Sequence, residues 1–242
     1  MDAEAYAGHV RADGEALAAA AEGNLHLPVP PCPAWTVADL VFHMGKVHAF
    51  WREIARLRLQ DPSAVELPAR PADENLLDWY RAGVQEVTDV IAGADPSTPV
   101  WSWSAQNDVA FIQRRMAHET AVHRWDAQVA AGDPQPVDAT LAVDGIDEFL
   151  DLFLGHPQMQ PRLAEGSESI HLHSTDAAGE WLVDVAGGAV TVAREHGKGD
   201  AAVRATASDL LLLVWRRRPP SELEVFGDRA ALDRFVSRLE VE

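Results

Sequence analysis

Residues 114–126 read RRMAHETAVHRWD, a segment that carries a glutamate, a histidine and an aspartate at helical spacing. On a helix, Glu119, His123 and Asp126 fall within an arc of about 60°. Phe111, Val122 and Val129 border that arc on one side, and Ile112 and Met116 on the other. The three polar residues therefore occupy the middle of a stripe that should enter a core. Buried charge is unfavourable unless it is paired or bound to a metal. Two readings follow for Glu119 and His123, four residues apart. They form two ligands of a metal site, or a hydrogen-bonded pair that only ties helices together. Spacing leaves both open.

The remaining pattern divides the chain. Helical periodicity predicts helices over residues 3–22, 37–59, 73–93, 107–131 and 139–154. Thr36, with Asp39 three residues on, reads as a capping arrangement for the second of these. LPVPPCPAW (27–35) reads as a stiff proline-rich loop and residues 60–72 as a proline-rich linker. Near residue 168 the period changes. SIHLHST, GEWLVDVAG, AVTVARE and AAVRAT alternate as half-buried strands do, with Gly187-Gly188 as a hairpin turn. SDLLLLVWRR is a helix with Ser208 as its expected cap, 223–226 a short strand, and a last helix starts at Asp228. The expected architecture is α+β in two domains. A helical domain spans 1–155, and a smaller α+β domain with an antiparallel sheet spans 168–242.

Composition narrows the partners. The net charge of −18 over 242 residues argues against nucleic acid, which requires a basic face, and against anionic membrane. No apolar run reaches ~18 residues, so no membrane span is expected. The N-terminus lacks the basic-then-apolar order of a signal peptide, and a cytoplasmic protein is expected. Cys32 is the single cysteine, so there is neither a disulfide framework nor a cysteine zinc site. Of the other histidines, His48 reads as a packed, hydrogen-bonded core residue. His171 and His173 read as an edge pair on one strand face, with no third ligand near in sequence. Trp101 and Trp103 read as ordinary packing.

Three segments together resemble a known family: CPAWTVADLVFHMGKVHAFW (32–51), RRMAHETAVHRWDAQ (114–128) and ASDLLLLVWRRRPPSELEVFGDRAALDRF (207–235). They look like the mycothiol-dependent maleylpyruvate isomerases. That family joins a DinB-like four-helix metal-binding domain to an α+β domain similar to sterol-carrier folds. The resemblance implies that His43, Glu119 and His123 are metal ligands, with zinc the first expectation. Asp126 sits where it could orient His123 or form a structural ion pair. Arg217 matches the arginine of the family's Trp-Gly-Arg, and Arg216 replaces its glycine. That exchange leaves open which of Arg216, Arg217 and Arg218 faces the site.

The implied chemistry uses mycothiol and a small electrophilic substrate. A metal-bound thiol loses its proton near neutral pH. In the named isomerase the thiolate adds to a carbon–carbon double bond, and rotation and elimination give the trans isomer. A related chain could instead transfer the thiol to an electrophile. The other class of function is a non-catalytic protein that binds metal or an apolar ligand.

Overall fold

The computed structural model describes residues 1–155, 160–163 and 165–239. Two compact units emerge, Met1–Gln135 and Pro136–Glu242. The sequence expectation put the boundary between residues 155 and 168, where the hydrophobic period changes. Residues 156–159 and 164 of that segment lie outside the described residues. The division by contacts falls earlier, because the helix at 139–148 packs within the second unit. No described helix is long and apolar enough to cross a membrane.

The first unit is a four-helix bundle. Helix α1 (Ala3–Ala21) packs on α3 (Asp73–Gly93) and α4 (Val109–Ala131). Helix α2 (Val37–Leu57) packs on α3 and α4. Thr36 starts α2 with a full capping box: its hydroxyl accepts from Asp39 N–H, and Asp39 accepts from Thr36 N–H at 2.9 Å. That anchor sets the phase of α2. Leu40, Val41 and Met44 then enter a core with Leu17, Leu76, Tyr80 and Val84, and His43 falls at the edge of the stripe. The proline-rich stretch before it is more ordered than expected. It forms a hairpin of β1 (Pro28–Val29) and β2 (Cys32–Thr36). Prolines are tolerated there because the sheet has two strands, both of them edges.

The second unit begins with α5 (Ala139–Glu148), which continues as a wider turn over Phe149–Phe153, and includes the short α6 (Gln160–Leu163). Its sheet contains β3 (Ser169–Ser174), β4 (Glu180–Ala186), β5 (Ala189–Ala193), β6 (Ala201–Ala205) and β7 (Glu224–Gly227), in the order β5-β4-β3-β6-β7. The sheet is antiparallel except for one parallel pair, β3 with β6. Ile170, Leu172, Trp181, Val183 and Val203 are buried on one face. Helices α7 (Ala207–Val214) and α8 (Arg229–Arg238) pack against β3 and β6. His171, His173 and Glu180 alternate to the opposite face. The cap of α7 differs from expectation. Thr206 accepts from Asp209 N–H at 3.1 Å, whereas Ser208 accepts from Val137 N–H, joining the helix to the segment before α5.

Candidate metal centre

Helix α4 is buried along most of its length, so its polar side chains must find partners inside the bundle. They do so one by one. Gln113 donates to Ile91 O at 2.8 Å, and Arg124 pairs with Asp13 at 3.0 Å. Thr120 Oγ1 lies 2.9 Å from His48 Nε2. These bonds fix the rotation of α4, which turns Glu119 and His123 toward α2.

His43 meets them from α2. One donor atom from each of His43, Glu119 and His123 falls within a cluster whose members are all within 4.8 Å of one another. His43 Nε2 is 3.7 Å from Glu119 Oε1, and the two imidazole centroids are 5.2 Å apart at 74°. The second oxygen of Glu119 faces Arg115, at 3.5 Å from its Nε. His123 Nδ1 donates to Asp126 Oδ2 at 2.9 Å, and Asp126 is fully buried. That bond leaves Nε2 of His123 as the donor atom for a ligand. Trp35, on β2, covers the cluster, 4.7 Å from the His43 ring and 6.4 Å from that of His123. The donors keep some exposure, with the His43 side chain 30% and the Glu119 side chain 22% accessible.

The electrostatics favour a charged carboxylate. Burial alone would raise the pKa of Glu119. The neighbouring His43 imidazole and the Arg115 guanidinium outweigh it and bring the pKa down to about 2. The chemistry of the set suits a divalent cation of borderline softness: two imidazoles, one anionic carboxylate, and a second carboxylate that locks one imidazole.

Other expected residues fall as follows. His48 is fully buried, stacks on Tyr80 and bonds Thr120, and burial pushes its pKa down to about 4. It is a core residue, as its sequence context suggested. Trp101 stacks on Trp51, and Trp103 meets Phe111 edge-on, so both are packing residues. Arg216, Arg217 and Arg218 follow α7 in the second unit and differ from one another. Arg216 takes a left-handed conformation (φ 57°) and donates to Leu239 O at 3.1 Å. Arg217 Nη1 donates to Trp215 O at 2.9 Å. Arg218 is paired with Asp209 and Glu222.

Arg115 and Trp35 were not singled out in the sequence. Arg115 is four residues before Glu119, the spacing that signals an ion pair on one helix face. Trp35 gave no such signal, because its approach depends on the β1–β2 hairpin.

The comparisons with known proteins cover both units. The family model described as Mycothiol maleylpyruvate isomerase N-terminal domain matches residues 7–128. The model described as MDMPI C-terminal domain matches residues 140–234. No curated protein matches the sequence. Among solved structures, one titled UbiJ-SCP2 Ubiquinone synthesis protein is 24% identical, with a TM-score of 0.32, covering 43% of this chain and 93% of that one.

Proposed function

The chain belongs to the mycothiol maleylpyruvate isomerase family, and from that premise we propose that it is a metal-dependent enzyme that uses mycothiol on a small electrophilic substrate, by isomerisation or by sulfur transfer. The observation that carries this reading is the convergence of His43, Glu119 and His123 from two helices, with donor atoms inside 4.8 Å of one another. Three protein donors are the number found in catalytic zinc sites, which keep one position for water or substrate. Zinc is the first choice, with nickel, iron and manganese as alternatives for such ligands. When bound there, the cation supplies a Lewis acid at which a thiol is deprotonated near neutral pH.

The chain's own groups prepare the site. Arg115 keeps Glu119 anionic, Asp126 holds His123 with Nδ1 protonated and Nε2 presented, and Trp35 shields the donors from water. Arg217, by its place in the family's Trp-Gly-Arg pattern, is the proposed anchor for a substrate carboxylate, which a guanidinium binds through two parallel hydrogen bonds. Cys32 has no proposed part. It is flanked by Pro31 and Pro33, with no lysine, arginine or histidine within five residues along the chain to lower its pKa.

The test is an assay with mycothiol and a panel of electrophiles, maleylpyruvate first, alongside elemental analysis. Glu119→Gln is expected to reduce bound metal and to lower thiol-dependent turnover by about a hundredfold or more. Loss of a ligand should exceed the 10–100-fold typical of an outer partner. Arg217→Ala should raise KM for a dicarboxylate with metal content unchanged. Cys32→Ser should leave activity within a few-fold of wild type. Activity that survives metal removal but not Cys32→Ser would make Cys32 the nucleophile and end this reading. If no electrophile reacts and the thiol leaves the spectrum of cobalt-loaded protein unaltered, the chain is a non-catalytic binder.

A further inference from the structure

A second cluster of metal-binding side chains lies in the other unit, on the sheet face opposite α7 and α8. His171 and His173 are two apart on β3 and share that face. The antiparallel register sets Glu180 of β4 directly across from His173, and Leu182 across from His171. His173 Nδ1 is 2.5 Å from Glu180 Oε1. His171 Nε2 lies 3.6 Å from Glu180 Oε2, too far for a hydrogen bond. This nitrogen is buried, with no hydrogen-bond partner among the described atoms. A buried nitrogen aimed at an anionic oxygen without bonding to it is an incomplete arrangement.

A third histidine arrives from the segment that follows β5. Residues 194–200 run back over the sheet. A Cβ at Gly199 would come within 2.7 Å of Ser169 O, and one at Gly197 within 2.7 Å of Leu182 Cδ2. The two glycines therefore let this segment lie directly on β3 and β4. Its far end is fixed where Asp200 N–H donates to Ser169 O at 2.8 Å. In this position His196 Nδ1 is 3.0 Å from Glu180 Oε2, and its ring is 5.0 Å from that of His171 at 87°. Three imidazoles thus surround one carboxylate.

We propose that His171, His173 and Glu180, with His196 as the fourth ligand, form a divalent transition-metal site that clamps the 194–200 segment onto the sheet. Donor atoms from the first three already lie within 4.8 Å of one another. Imidazole and carboxylate donors select zinc-like ions over calcium or magnesium. Four protein ligands close the coordination sphere, as in structural rather than catalytic zinc sites. Sequence spacing alone did not show this site. His171 and His173 were read as an edge pair because Glu180 and His196 reach them only through strand register and the returning segment.

The test uses metal-stripped full-length protein, zinc, and a chromophoric chelator as competitor. His123→Ala is expected to keep one tight equivalent of zinc, and His123→Ala/His173→Gln to bind it about a hundredfold more weakly or worse, since loss of a ligand should exceed the effect of losing an outer partner. His173 is partly exposed, so the second change should not unfold the chain. In the His123→Ala protein, zinc should slow tryptic cleavage after Arg194 and Lys198, and in the double variant it should not. His173→Gln alone should remove one equivalent from wild type, whether wild type binds one or two, so the result does not depend on the bundle site. Equal zinc affinity of His123→Ala and the double variant would overturn the proposal. So would zinc binding that leaves cleavage at 194–198 unchanged.

Discussion

Glu119 and Glu180 each gather histidines, one inside a helix bundle and the other on the outer face of a sheet. Around Glu119, Arg115 is 4% exposed and Asp126 is fully buried. Around Glu180, the side chain of His173 is 36% exposed and that of His196 is 81% exposed. In the bundle, each charge must be matched by a fixed neighbour, because little water is available to solvate it. The result is a set of orientations determined before any ligand arrives. On the sheet, water makes up part of the balance, and one histidine, His196, comes from a segment free of regular structure. The same side-chain types thus form a cluster with fixed orientations in one unit and, in the other, a cluster completed by an exposed segment.

The largest expected consequence of that difference is in pH dependence. His48 belongs to the buried frame of the bundle, and burial lowers its pKa from 6.5 to about 4. The folded state therefore favours the neutral form, while the unfolded chain takes up a proton below pH 6.5. Stability from this group is fully present above pH 6.5 and is lost as pH falls through about 4. The loss is of order 3 kcal/mol. Urea titration of metal-free protein at several pH values measures it. His48→Gln should flatten the slope between pH 6.5 and 4, whatever it does to stability at pH 7. An unchanged slope would mean that His48 is solvated, and the contrast between buried and exposed frames would fail.

A matched pair of carboxylate-to-amide changes comes next. Asp126→Asn leaves the buried His123 Nδ1–H with a neutral acceptor, and should destabilise metal-free protein by about 2 kcal/mol. Glu180→Gln makes the same chemical change where the neighbouring His173 and His196 keep access to water, and should cost less. Denaturant midpoints decide the matter. Equal losses would show that the sheet cluster is as preorganised as the bundle cluster.

The two regions also differ in how much their sequences disclose. Helix α4 carries Glu119, His123 and Asp126 at spacings of four and three, so their common face follows from the helical period alone. The capping box at Thr36 and Asp39 made the start of α2, and hence the phase of His43, equally readable. The sheet cluster needed information that spacing does not hold. Glu180 meets His173 through hairpin register, and His196 meets His171 through a close approach to the strands that Gly197 and Gly199 allow. Likewise the parallel pairing of β3 with β6 follows from a crossover, and local alternation is the same for parallel and antiparallel neighbours. Thr206 caps α7 in place of Ser208 because Asp209, whose N–H it accepts, is three residues on. The Ser208 hydroxyl is engaged by Val137 from a distant part of the chain, which local sequence does not reveal. The hairpin at 28–36 was hidden by its prolines, which usually argue against strands.

The smallest effect compares one residue from each unit. Arg58, capping α2, and Arg216, just past α7, are the two described non-glycine residues with positive φ, at 53° and 57°. After α7, Arg216 N–H bonds Leu213 O and Arg217 N–H bonds Leu212 O, which is the double-bonded helix end that glycine favours. A side chain in that conformation costs about 1 kcal/mol. Arg58→Gly should therefore stabilise the protein by nearly that amount, less what the more flexible unfolded chain takes back. Arg216→Gly should gain less, about 0.5 kcal/mol, because it also removes the bond from Arg216 to Leu239 O. Arg216→Ala should gain nothing, since it loses the bond and keeps the strain. Thermal midpoints of the three variants order them. If Arg216→Gly is less stable than Arg216→Ala, the helix end is not strained there. The arginine in place of the family's glycine would then be held by its contacts alone.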